Sequence, residues 1–216
     1  MSALFYRYDE RWLNTSRKDV DWEQIKLIVF LNHTSLFEPI FLRLAPNHFL
    51  WKASKQLIIP GADITLKRPL VGRFFHFLLP GVIPITRKKD HSWRSFLEAI
   101  NSKSIVAILP EGRMMRPNGL DKSGKQMSVR GGIADILSRL KEGSALFIYS
   151  GGLHHIQVPG QKLPKLFKQV RVNLEVLNIA QYKKSIGNVN FEDFKSKLVK
   201  DLNHRLAHRV PKQEQR

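Results

Sequence analysis

The chain has 216 residues, 43% of them apolar and 25% charged, a composition that suits one globular domain with a sizeable core and excludes a disordered segment. It contains no cysteine, which rules out disulfides, thiolate metal sites and a cysteine nucleophile. With 36 Lys and Arg against 18 Asp and Glu the net charge is +18, so the surface attracts anionic partners: phospholipid headgroups, nucleic acid or an acidic carrier protein.

Met1 to Asn14 has neither an apolar h-region nor a small-residue cleavage site, so no signal peptide is expected. No stretch approaches the ~20 apolar residues that span a bilayer. Leu4, Phe5, Tyr6, Tyr8 and Trp12, mixed with Arg7 and Arg11, suit either a helix packed on the core or a segment at a headgroup boundary. Leu27 to Leu31 is a short continuous apolar run, as a fully buried strand requires. Ser35 to Leu44 reads as helical, and His48 to Trp51 as the start of a second strand. Pro69 suits the first turn of a helix with Val71, Phe74, Phe75 and Leu78 on its inner face. The apolar run from Phe74 to Ile85 is interrupted by His76, Pro80, Gly81 and Pro84 and reads as core, with Gly81 to Ile85 a strand.

Ser92 is placed to cap a helix that buries Trp93, Phe96, Leu97 and Ile100. Ser104 to Leu109 is another buried-strand pattern, followed by a polar loop from Arg116 to Ser128. Gly131 to Leu140 reads as a helix and Ala145 to Tyr149 as a strand. Val170, Val172, Leu174 and Val176 alternate with polar residues, as in a half-buried strand. Gly151 to Lys168, with its Pro159-Gly160 turn, is the nearest approach to a linker. Asn190 caps a last helix with Phe191, Phe194, Leu198, Leu202 and Leu206 on one side and Lys195, Lys197, Lys200, Arg205 and Arg209 on the other. That basic side suits a solvated face or a surface for anionic lipid. There are no internal repeats, and the order of elements predicts a single α/β domain with a mostly buried central sheet flanked by helices.

Functional residues of open α/β sheets collect beyond the carboxyl ends of strands. One such end reads Asn32-His33-Thr34-Ser35-Leu36-Phe37-Glu38-Pro39. A bend in the chain would bring Glu38 to the imidazole of His33, where it would hold one ring N–H and leave the other nitrogen as a base. This is the histidine–carboxylate part of a triad without its serine. The alternative is a strand-end histidine that caps the next helix, with Glu38 exposed. A second strand end reads Pro110-Glu111-Gly112-Arg113. Gly112 allows close approach of the backbone to a ligand, and Arg113 carries a fork of donors suited to phosphate. Arg87 follows a third strand. Either arginine alone is more often a solvated surface residue, and their shared position at strand ends strengthens the binding reading. His154 and His155 are adjacent, so a strand would send them to opposite faces, and they read as structural or surface residues without metal-ligand spacing. No Gly-x-Ser-x-Gly elbow occurs, and Ser35 reads as a helix-start residue.

These segments resemble the glycerolipid acyltransferases, the family that includes bacterial 1-acylglycerol-3-phosphate acyltransferase. The family's Asn-His followed by four residues and an acid is matched by NHTSLFEP, with Glu38 where Asp is commoner. Its glycine, short strand and arginine are matched by Gly81 to Arg87, and its Pro-Glu-Gly-Thr-Arg by Pro110-Glu111-Gly112-Arg113. Pro69-Leu70-Val71-Gly72 and Arg130-Gly131-Gly132-Ile133-Ala134 are similar to further family segments. Order and spacing agree over roughly Leu27 to Tyr149. The chain departs from the pattern at Ala145 to Tyr149, where members usually carry Val-Pro, and has no counterpart of the membrane-embedded N-terminal segment of many members.

The resemblance implies one acyltransferase domain over residues 1–216, its motifs within about 27–149. It implies His33 as general base, Glu38 as the group that fixes it, and Arg87, Glu111, Gly112 and Arg113 as substrate-binding residues. Glu111 either orders its loop or contacts the acceptor. No metal or cofactor is expected; the acyl donor is acyl-CoA or acyl carrier protein, and the acceptor a phosphate-bearing lysolipid. A cytoplasmic protein peripheral to the anionic inner face of the membrane follows from the same reading. One rival keeps the fold with a different acceptor, such as a lyso-aminolipid. The other is a non-catalytic binder of nucleic acid or anionic membrane. Nucleic acid is not expected, since the chain has no zinc-ligand spacing, RNA-binding aromatic signature or helix-turn-helix.

Overall fold

In the computed structural model, which describes residues 2–67, 81–86, 90–158, 161, 163–187 and 190–212, the apolar runs become strands of one sheet. The strands are β1 (Tyr6–Trp12), β2 (Ile25–Leu31), β3 (Leu57–Ala62), β4 (Val82–Ile85), β5 (Ile105–Ile108), β6 (Ser144–Ser150) and β7 (Lys168–Asn178). Their order is β1-β7-β6-β2-β5-β3-β4. All neighbours run parallel except β6 and β7, which are antiparallel.

The central position of β2 follows from its composition. Successive side chains of a strand point to opposite faces, so a run apolar at every position is stable only where both faces are covered. Ile28 and Phe30 face one core layer with Trp22, Phe41, Leu44, Phe49, Leu146 and Ile148. Leu27, Val29 and Leu31 face the other with Phe96, Ile133, Leu137, Phe147, Leu198 and Leu202. The described helices are α1 (Ser2–Phe5), α2 (Asn47–Gln56), α3 (Asp63–Leu66), α4 (His91–Glu98), α5 (Gly132–Arg139), α6 (Ile179–Ile186) and α7 (Phe191–Arg209), with 3-10 turns over Trp22–Gln24 and Glu38–Leu44. Among the described residues no helix is long and apolar enough to cross a membrane.

Several local expectations are corrected. The strand expected from His48 is the helix α2, because Phe49 and Ala53, four residues apart, are the positions it buries. The helix expected over Ser35 to Leu44 is a 3-10 turn that starts only at Glu38. The cap of α4 is Asp90, whose carboxylate accepts from Ser92 N–H at 3.0 Å, rather than Ser92. The N-terminal aromatics lie on the edge strand β1, which pairs with β7, and only one helical turn precedes it. Asn190 caps α7 as expected, its side chain accepting from Asp193 N–H at 2.9 Å. The far side of that helix is not all solvated. Arg205 and Arg209 both reach the buried Glu175, which also accepts from Tyr149 Oη at 2.7 Å. A carboxylate this deep needs such partners, since an unpaired buried charge is costly. The helix expected from Pro69, the Pro159-Gly160 turn and Arg87 lie outside the described residues.

Candidate active site

Three adjacent strands β6, β2 and β5 deliver their carboxyl ends to one place. β2 ends at Leu31, and the chain reverses through Asn32 at φ 68°, a left-handed conformation that asparagine adopts more readily than most residues. Asn32 Nδ2 donates to Ser150 O at the end of β6 at 2.7 Å. From the end of β5 comes Glu111. Its Oε1 accepts from Asn32 N–H at 2.7 Å and its Oε2 from His33 N–H at 2.9 Å. Met115 N–H donates to His33 O at 2.7 Å, so the histidine is fixed at both its backbone N–H and its carbonyl. The residues expected at two separate strand ends therefore form one unit, with Glu111 the clamp between them.

The side chain of His33 turns onto Glu38. Nδ1 lies 3.1 Å from Oε1, with the histidine side chain 13% exposed and the glutamate 5%. Oε1 also accepts from the N–H groups of Thr34 and Ser35, each at 3.0 Å. The two groups are in close contact and coupled by charge, without the alignment of a full hydrogen bond. The reading with Glu38 exposed is contradicted by its burial. The bend that brings the carboxylate back is stabilised by those two N–H groups and closed by Thr34 Oγ1, which accepts from Leu153 N–H at 2.7 Å.

Electrostatics set the state of this pair. Burial disfavours the imidazolium and is the largest influence on His33. The charge and contact of Glu38, with the charge of Glu111, outweigh it and raise the pKa above the ordinary 6.5. Glu111 is itself raised, by burial first, against the pull of the two N–H groups and of His33.

Gly112 sits at φ 61°, and a Cβ there would lie 3.3 Å from Arg130 Cδ. The turn itself demands glycine, and Arg130 lies over it, with Nε donating to Glu111 O at 3.2 Å. Arg113 pairs through Nη1 with Asp121, and its side chain keeps 31% exposure. Asp121 is buried and also accepts from Ser123 N–H at 2.7 Å and Lys125 N–H at 3.0 Å, with the Lys125 bond first among the influences that lower its pKa. Sequence reasoning did not foresee Asp121, nor His154, whose Nε2 is 2.8 Å from Met115 O beside the histidine turn. Only the Asn-His pair carried a readable signal for the turn, through the tolerance of asparagine for positive φ. Among the described residues no cluster of three or more His, Asp or Glu is placed to hold a metal.

A profile of the family described as Acyltransferase matches residues 14–152. Among curated proteins no sequence matches the chain. Among solved structures it is similar to the 1-acyl-sn-glycerophosphate acyltransferase PlsC from Thermotoga maritima, with a TM-score of 0.56 and 16% identity over 96% of this chain and 75% of that one. At that identity the likeness is one of fold.

Proposed function

The chain belongs to the acyltransferase family and is an enzyme that transfers acyl groups, and we propose that it moves a fatty acyl chain from acyl-CoA or acyl carrier protein to a hydroxyl of a phosphate-bearing lysolipid such as 1-acylglycerol-3-phosphate. The observation that carries the reading is the contact of His33 Nδ1 with Glu38 Oε1 at 3.1 Å on a turn clamped by Glu111. The negative charge of Glu38 against Nδ1 favours the ring proton there and leaves Nε2 to act as base.

Nε2 takes the proton of the acceptor hydroxyl as its oxygen attacks the thioester carbonyl. Collapse of the tetrahedral intermediate breaks the C–S bond, and the departing thiolate takes the proton from the imidazolium. Glu38 stabilises that imidazolium. The step consumes no cofactor and leaves no acyl group on the protein. Glu111 acts by positioning His33. Arg113, aimed by Asp121, and Arg87 are assigned to the acceptor phosphate.

Offered a labelled acyl thioester and a panel of acceptors, the protein is expected to acylate lysolipids with an exposed phosphate and to leave neutral lysolipids and lyso-aminolipids untouched. Equal use of a phosphate-free acceptor would overturn the assignment of the two arginines. The pH dependence follows from the raised pKa of His33. Only the neutral imidazole has a lone pair, so activity falls as pH drops, with a midpoint above 6.5. In Glu38→Gln the main charge that raises it is gone, and the midpoint shifts to lower pH along with the loss of rate. A pH–rate profile of both proteins with an unmoved midpoint would contradict the pairing.

A further inference from the structure

A patch of large apolar side chains stands in solvent beside this site. Leu4 is 78% exposed, Leu163 77% and Phe167 74%, and Leu166 is also exposed. They lie on two segments that meet at Phe5 and Phe167. Phe167 N–H donates to Phe5 O at 2.7 Å, and the rings of Phe5 and Phe167 meet edge to face at 5.9 Å. Phe167 holds its position at φ 59°, a strained backbone for a bulky residue. Strain that presents an aromatic ring to water does little for the fold and points to a use outside it.

The frame of the patch is basic. Arg7, Lys165 and Lys168 are exposed, and among the described residues none has an acidic partner. The pairing of β1 with β7 sets Lys168 beside Tyr6 and Arg7 beside Gln169. Apolar tips ringed by long cationic side chains match the boundary between acyl chains and phosphates of an anionic bilayer. The chain's +18 charge has the same sense.

Both segments of the patch are braced against the catalytic turn. On the β1 side, Tyr8 Oη donates to Ile40 O at 3.0 Å, and the rings of Tyr6 and Phe37 lie 6.0 Å apart. On the other side, the loop that leads to Phe167 starts at Leu153, bonded to Thr34, and carries Gln157, whose Oε1 accepts from Ser35 Oγ at 3.1 Å. We infer that Leu4, Leu163, Leu166 and Phe167 insert into the surface of an anionic membrane, with Arg7, Lys165 and Lys168 on its phosphates. The use of this contact to deliver the acceptor rests on the acyltransferase reading above; the contact itself does not.

The cysteine-free chain permits a direct test. Leu163→Cys and, on α2 outside the patch, Trp51→Cys are each labelled with a polarity-sensitive dye and mixed with vesicles of phosphatidylglycerol and phosphatidylethanolamine. The dye at 163 is expected to shift to the blue and the dye at 51 to keep its aqueous emission. In vesicle flotation the double variant Leu163→Ser/Phe167→Asn should bind about tenfold or more weakly, since two buried apolar anchors are lost. Asparagine suits the left-handed backbone at 167, so the fold is spared. His33→Ala should bind as the wild type does, which separates docking from chemistry. An aqueous dye at 163 on vesicle-bound protein, or undiminished binding by the double variant, would overturn the inference and leave charge alone as the attraction. So would absence of vesicle binding together with a blue shift on an acidic carrier protein. Vesicle binding as described without any acyl transfer would leave the surface standing and remove the activity.

Discussion

His33→Ala is expected to lower acyl transfer by about 10² to 10⁴ while the protein stays folded. We assign the imidazole, with the Glu38 carboxylate held against it, as the group that takes the acceptor's proton. The backbone of the turn does not depend on the ring. Its N–H and carbonyl are bound to Glu111 and Met115 through main-chain atoms that alanine retains. The variant's circular dichroism and melting temperature should therefore stay close to the wild type's. Transfer that survives the substitution would show that the proton is taken elsewhere.

The second large effect concerns Glu111. A carboxylate has two acceptor oxygens, and here each takes one N–H of the turn that carries His33. Glutamine offers one acceptor, and its amide N–H₂ would face the remaining donor. Glu111→Gln should therefore destabilise the fold by about 2–4 kcal/mol, from a buried N–H without an acceptor and the loss of charge assistance. Transfer should drop more than tenfold in kcat with little change in KM, because a displaced imidazole weakens the chemical step and leaves acceptor binding intact. A large rise in KM at constant kcat, with stability unchanged, would instead make Glu111 a direct contact to the acceptor.

The central strand and the two strand ends that form the candidate site were legible because their signals are local. Leu27 to Leu31 is apolar at every position and can only be interior. His33 and Glu111 come just after such strands, Glu38 returns to His33 through a local bend, and topology does the rest by placing β2 beside β5. What was not legible depends on distant partners. Tyr6 to Trp12 alternates aromatic and charged residues, yet its role as an edge strand is decided by β7, more than 150 residues on. Leu57–Ala62 contains Pro60 and Gly61, which argue against a strand, but it lies next to the edge, on β4 and β5. The partnership of Arg113 with Asp121, and of Arg205 and Arg209 with Glu175, similarly arises only when the chain is folded. A basic residue at a helix surface position carries no local mark of whether it meets water or a buried carboxylate.

Direct acyl transfer by this protein with His33 as base is tested by mixing it, purified, with a labelled acyl thioester and 1-acylglycerol-3-phosphate and following lipid, thiol and protein together by mass spectrometry. A diacyl lipid should form in step with released thiol, with an unmodified protein mass, and neither product should form with folded His33→Ala. Thiol release without lipid product, an acylated protein, or full conversion by His33→Ala would contradict it.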